Sequence, residues 1–163
     1  MTSKHIFDNY KELVLEREVL EIQIKNFLGV SDAEIIASMA FSHPVDDDVR
    51  VQTSGTSDKT ATIALSYSDK AKRDNEEWYS WLLQQYLELD AELCFFDECI
   101  DKLDGKRAKV IRALLNGDTW DSVCYNNYIA RSTLSKYRKE AIKMIQERMD
   151  YREQKRLHYL LYA

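Results

Sequence analysis

Residues 119–142 read TWDSVCYNNYIARSTLSKYRKEAI, two short helical patterns separated by a turn. In the first, Trp120, Val123 and Cys124 recur at helical spacing, and Asp118 stands where a side-chain oxygen can cap the orphan amides of an opening turn. In the second, Leu134, Tyr137, Ala141 and Ile142 form an apolar stripe, while Arg131, Ser132, Thr133, Ser135, Lys136, Arg138 and Lys139 supply donors around the other face. The spacing predicts a helix-turn-helix with Trp120 and Leu134 buried between its helices. A helix of this kind fits the major groove of B-DNA, where Arg and Lys read guanine edges and Ser or Thr bond bases or phosphates. The competing reading is a structural helix pair, because basic outer faces are common on amphipathic helices.

Working outward, Val110, Ile111, Leu114 and Leu115 mark a supporting helix that Asn116-Gly117 ends. Downstream, the second helix continues through Ile145 and Met149, becomes basic at Arg148, Arg152, Lys155 and Arg156, and turns apolar at Tyr159, Leu160, Leu161 and Tyr162. That tail requires an apolar partner, either the chain's own bundle, a second copy in a homo-oligomer, or a larger protein. Charge divides with the pattern. Residues 104–163 carry 13 Lys+Arg against 7 Asp+Glu, net +6, and residues 1–103 carry 10 against 21, net −11. A cationic block attracts phosphate through counterion release, and an acidic remainder suits a basic protein surface. Two regions are expected, an acidic helical stem over 1–103 with a loop at 43–56, and a basic domain over 104–163.

In the stem, Ile6, Tyr10, Leu13, Arg17, Leu20, Ile24 and Phe27 follow intervals of three and four, a heptad seam with Arg17 as its polar member. Either an antiparallel helix of the same chain or a second copy satisfies it. Gly29 closes that helix. Ser31 and Glu34 form a capping box for a short helix with Ile35, Ile36, Met39 and Phe41, which Pro44 ends. Asp46-Asp47-Asp48 reads as a solvated acidic loop, since it lacks the spaced ligands of a calcium loop. After a cap at Ser57 the seam returns at Trp78, Leu82, Tyr86, Leu89, Leu93, Phe96, Ile100 and Leu103, with Trp81, Leu83 and Phe95 widening its apolar face.

Four Gly and one Pro in 163 residues leave long uninterrupted helical stretches, so the fold class is all-α, a long helical stem with the helix-turn-helix at its C-terminal end. No apolar run approaches the roughly 20 residues a membrane helix needs, and Met1 to Leu20 lacks the pattern of a signal peptide, so a cytoplasmic chain without membrane contact is expected. Cys94, Cys99 and Cys124 have no CxxC spacing and read as reduced core thiols. His5, His43 and His158 have no ligand companions, so neither a metal nor another cofactor is expected. Glycine-rich phosphate loops and nucleophile motifs are missing, which argues against an enzyme.

Ile129, Arg131, Leu134, Tyr137, Ala141 and Ile142 fall on a frame that resembles the C-terminal helix-turn-helix of sigma-factor region 4. With Ser31-Asp32, Ile35, Ile36 and Met39, then Gly55-Thr56-Ser57-Asp58-Lys59-Thr60-Ala61 and Ile63-Ala64-Leu65, the chain is similar in order to phage-encoded regulators of Gram-positive bacteria of the RinA and ArpU types. That resemblance implies a sigma-like activator of late phage genes that binds promoter DNA and engages RNA polymerase. Tyr128 stands where the family has glycine, Ala130 where it has a hydroxyl cap, and Ser132 and Lys136 where housekeeping sigma factors have glutamate and glutamine. The turn's geometry is thereby in question, and no −35 preference is implied. Two other functions fit the same pattern: a small-terminase-like packaging protein, which would assemble into rings, and a helical adaptor that does not bind DNA.

Overall fold

The computed structural model describes the backbone of residues 1–41 and 59–162 and the side chains of 1–39 and 65–162. Among these residues there are six helices and no strand: α1 Ser3–Lys25, α2 Asp32–Phe41, α3 Lys59–Asp101, α4 Gly105–Leu115, α5 Trp120–Asn127 and α6 Arg131–Tyr162. The chain is all-α. The loop expected over 43–56, Asp46-Asp47-Asp48 and the cap at Ser57 lie outside the described residues.

Two compact units divide the chain, Met1–Glu21 with Tyr86–Ala163, and Ile22–Gln85. The division falls within α1 and α3, because the start of α1 is built into the same core as α6. In the first unit Ile6 and Leu13 of α1, Leu89, Leu93, Phe96 and Ile100 of α3, Ile111 and Leu115 of α4, and Ala141, Ile145 and Met149 of α6 form one buried cluster. Each residue comes from its helix's apolar stripe, and their burial is the main stabilising contribution of this unit. The paired stretches of α1 and α3 run antiparallel, since the Tyr10 hydroxyl donates to both Asp97 oxygens at 2.8 and 3.0 Å while Arg17 meets Asp90 at 3.3 Å. Arg17, the polar member of the seam, thus finds its carboxylate within the same chain.

The opening of α1 is fastened to α6. Buried Ser3 donates its amide to Gln146 Oε1 at 2.8 Å and its hydroxyl to the Ile142 carbonyl at 2.9 Å. Asn9 then leaves helical geometry at φ −116°, ψ 17°, while its side-chain amide donates to the His5 carbonyl at 2.9 Å. A side chain competing for the i−4 carbonyl bends a helix in this way.

The second unit holds the end of α1, α2 and the first part of α3. Ser31 and Glu34 form the expected capping box, with the Ser31 amide and hydroxyl donating to Glu34 Oε2 at 2.9 and 2.7 Å. Helix α1 stops at Lys25, before Gly29, whose φ of +72° instead brings the backbone against Asn75, which accepts from the Val30 amide at 2.6 Å. A Cβ on residue 29 would stand 2.7 Å from the Asn75 side chain. Trp78 packs edge-on against Phe27 at 5.0 Å. Trp81 and Leu83 do not widen the apolar face: they are 55% and 37% exposed, because their helical phase turns them away from the stripe of Ala71 and Leu82.

Burial first, then the hydrogen bond to Asp97 and that carboxylate's charge, push the Tyr10 hydroxyl up to about 12. The folded state favours the protonated phenol, so its stabilising contribution is complete below the ordinary tyrosine value near 10 and is lost as pH rises towards 12. Tyr10→Phe is expected to cost about 1 kcal/mol at neutral pH, below the full value of a buried charged hydrogen bond because the ring is half-buried. In urea titrations the gap between wild type and variant should close between pH 10 and pH 12; a gap that stays constant over that range would show that the fold does not raise the hydroxyl's pKa.

Candidate nucleic-acid interface

Helices α4, α5 and α6 pack on one another around a small core of Val110, Val123 and Leu134, each at most 1% exposed, with Cys124, Ile129 and Tyr137 against it. Local chemistry sets the corners. Asp104 accepts from the Arg107 amide at 3.0 Å to open α4, and Gly117, at φ +88°, closes it with its amide on the Leu114 carbonyl and that of Asp118 on the Ala113 carbonyl. This paired closure is a Schellman motif. Helix α5 repeats it with a different residue. Tyr128 adopts φ 52°, ψ 49°, its amide meets the Tyr125 carbonyl at 3.3 Å, and the Ile129 amide meets the Cys124 carbonyl at 3.1 Å. The side chain that stands in the glycine position of the resemblance therefore takes the left-handed conformation a glycine would supply, and it is 93% exposed.

Two expectations at α5 are corrected. Thr119, not Asp118, caps it, accepting from the Ser122 amide at 3.2 Å. Trp120 lies in the first turn outside the small core and is 39% exposed, whereas Leu134 is fully buried as expected. Among the thiols, Cys99 is buried and Cys124 half-buried, but Cys94 is exposed on α3 and is not a core thiol.

The predicted binding residues separate by helical phase. Ser132, Lys136 and Lys139 form an exposed row along the first turns of α6, and Lys143, one turn on and missed in the sequence, extends it. Its signal was the four-residue step from Lys139. Thr133 and Ser135 are half-buried at the edges of the row. Lys136 approaches Glu140 at 3.8 Å and Lys143 approaches Glu147 at 3.9 Å, while Lys139 has no ion pair among the described residues. Arg138 departs from the row. Its guanidinium bonds Asp8 at 2.6 Å and lies over the Phe7 ring at 5.0 Å, because position 138 is one turn beyond Leu134 and three residues before Ala141. Arg131 opens the helix and reaches back across the turn to Asp121, which holds the exposed guanidinium more firmly protonated through its hydrogen bonds and charge. Asp121 was also missed, having no feature in the sequence beyond its place in the first turn of α5.

Past Arg152 the inward stripe ends. Leu157, Tyr159, Leu160, Leu161 and Tyr162 are exposed, so the apolar tail finds no cover among the described residues of its own unit. Among the described residues no helix is long and apolar enough to cross a membrane. No family model matches the chain, and neither the curated proteins nor the solved structures contain a match to it.

Leu134→Ala should lower stability by about 2–5 kcal/mol, as removal of a fully buried leucine does, read from urea denaturation; a change near zero would mean that the small core does not hold the three helices together. Tyr128→Gly should act in the opposite sense. Removing the Cβ from a left-handed position outweighs glycine's extra entropy by roughly 0.5–1 kcal/mol, so the melting temperature should rise. A fall would show that the tyrosine ring contributes more than its backbone strain costs.

Proposed function

We propose that this chain is a DNA-binding transcription regulator of the phage sigma-like kind, with α5, the turn and α6 acting as a helix-turn-helix and α6 as the recognition helix. The observation that carries the reading is the exposed row Ser132, Lys136, Lys139 and Lys143 on a helix whose opposite stripe is fully committed to two cores. Arg131 and the hydroxyls of the first turns face base edges, and Lys136, Lys139 and Lys143 face phosphates. Arg138 is assigned to the fold through Asp8. The outward side of α1 leaves Glu12, Leu15, Glu16 and Val19 exposed, an acidic and apolar surface that supports a protein partner such as RNA polymerase. The exposed apolar end of α6 favours one alternative, a self-assembling packaging protein. Light scattering separates the two: a monomer or dimer supports regulation, and a ring of many copies supports packaging.

Anisotropy of labelled duplexes with the full chain tests DNA binding. Sequence-independent affinity is expected on the order of 10⁻⁴–10⁻⁶ M at physiological salt, tightening as salt falls. No binding at low salt would remove this reading. Lys139→Ala should weaken all duplexes alike and reduce the salt slope by about 0.9, one phosphate contact. Arg138→Ala should leave that slope unchanged and lower stability by about 1 kcal/mol through the lost packing on Phe7 and pairing with Asp8. A salt slope altered by Arg138→Ala and not by Lys139→Ala would reverse the assignment.

A further inference from the structure

We propose that Asp121 is a positioning residue for base recognition, holding Arg131 so that the free edge of its guanidinium is presented to a guanine; this rests on the reading of α6 as a DNA-contacting helix. The geometry is specific. Arg131 donates Nε–H and one Nη2–H to the same oxygen, Asp121 Oδ1, at 2.9 and 2.5 Å. A guanidinium carries five N–H donors in one plane, and with these two used, one Nη1 hydrogen and the second Nη2 hydrogen stay side by side on its free edge while the other Nη1 hydrogen points back towards Cδ. That edge is the fork that pairs with O6 and N7 of guanine in the major groove.

The placement argues against a purely structural pair. Arg131 and Asp121 are 69% and 75% exposed, a setting in which an ion pair adds little to stability. Asp121 is well supported there, since it sits in the first turn of α5, where the helix dipole favours a carboxylate. The bond spans ten residues and joins α5 to the first residue of α6. A long side chain that would otherwise sample many rotamers is thereby held in one before any ligand arrives, which lowers the entropy lost on binding. Neighbouring Lys136 is a flexible point charge and lacks such a fork.

The test uses the full chain as wild type, Asp121→Asn, Asp121→Glu and Arg131→Ala, each confirmed folded by thermal unfolding. Duplexes with a randomised centre are selected with the wild type, and the dissociation constants for the selected duplex and the unselected pool are measured at fixed salt. The Asp121→Asn protein should bind the unselected pool as well as or better than wild type, having lost one negative charge. Its preference for the selected duplex should fall about 5- to 100-fold, with discrimination relaxing at one guanine. Arg131→Ala should relax the same position, and Asp121→Glu should retain most of the preference. An Asp121→Asn protein with unchanged base preference, or one that tightens on both duplexes equally, overturns the inference and leaves DNA binding standing. A wild type that binds neither duplex overturns the DNA reading and this inference with it. Where Asp121→Asn does not fold, Asp121→Ala is measured in its place on the same two duplexes, and an unchanged preference at the base that Arg131→Ala relaxes overturns the inference.

Discussion

Helix α6 has to satisfy two cores with one stripe. Leu134 fills the small core shared with Val110 and Val123, and Ala141, Ile145 and Met149 fill the larger one shared with α1, α3 and α4. A continuous α-helix advances 100° per residue, so fixing both sets of residues fixes the phase of everything between and opposite them. Ser3 and Asp8 of α1 add clips at Ile142, Gln146 and Arg138. The outward row of Ser132, Lys136, Lys139 and Lys143 is therefore presented by packed side chains on the far face rather than by a loop, which is how a contact surface keeps its geometry.

Arginine and lysine are sorted within this unit. Arg107 bridges Asp104 and Glu140 while lying over Tyr137, Arg112 ties Asp97 to Asp101, and Arg148 donates to the Cys99 carbonyl. Arg152 pairs with Glu92 and lies 4.2 Å from the centre of the Phe95 ring. A planar fork that stacks on aromatics and bonds two acceptors is suited to such junctions, and it consumes positive charge in doing so. The +6 of residues 104–163 consequently overstates the field at the surface, which lysines carry together with the exposed Arg131 and Arg156.

What the sequence revealed follows from what periodicity measures. The seam positions Ile6, Leu13, Leu89, Leu93, Phe96 and Ile100 are buried because burial itself imposes the interval of three and four. Leu134, Ala141 and the capping box at Ser31 were legible for similar local reasons. Side chains whose placement depends on a partner distant in sequence were not. Arg138 looked by charge like one more donor on the outer face, and its bond to Asp8, 130 residues away, was not visible in the sequence. Trp120 looked buried by residue type, yet the cap moves from Asp118 to Thr119 and leaves the ring in an opening turn. Both residues can accept from an amide, and a shift of one position rotates a helix by about 100°.

On the proposed reading, this sorting has a consequence for recognition. Lysines bonded to phosphates neutralise charge without regard to sequence, so Lys136, Lys139 and Lys143 would contribute affinity and its salt dependence but little discrimination. Thr133 and Ser135 are half-buried, and a hydroxyl that donates and accepts tolerates either member of many base pairs. Bidentate discrimination within the first turns of α6 then falls on Arg131, the arginine there that is not folded into a core junction. The bond to Asp121 opposes non-selective use of that side chain twice over, by lowering the local positive potential and by restricting the directions in which the fork can point. On that reading, an acidic remainder and one restrained arginine on the contact helix would give weak general binding to DNA and discrimination between sites through few contacts.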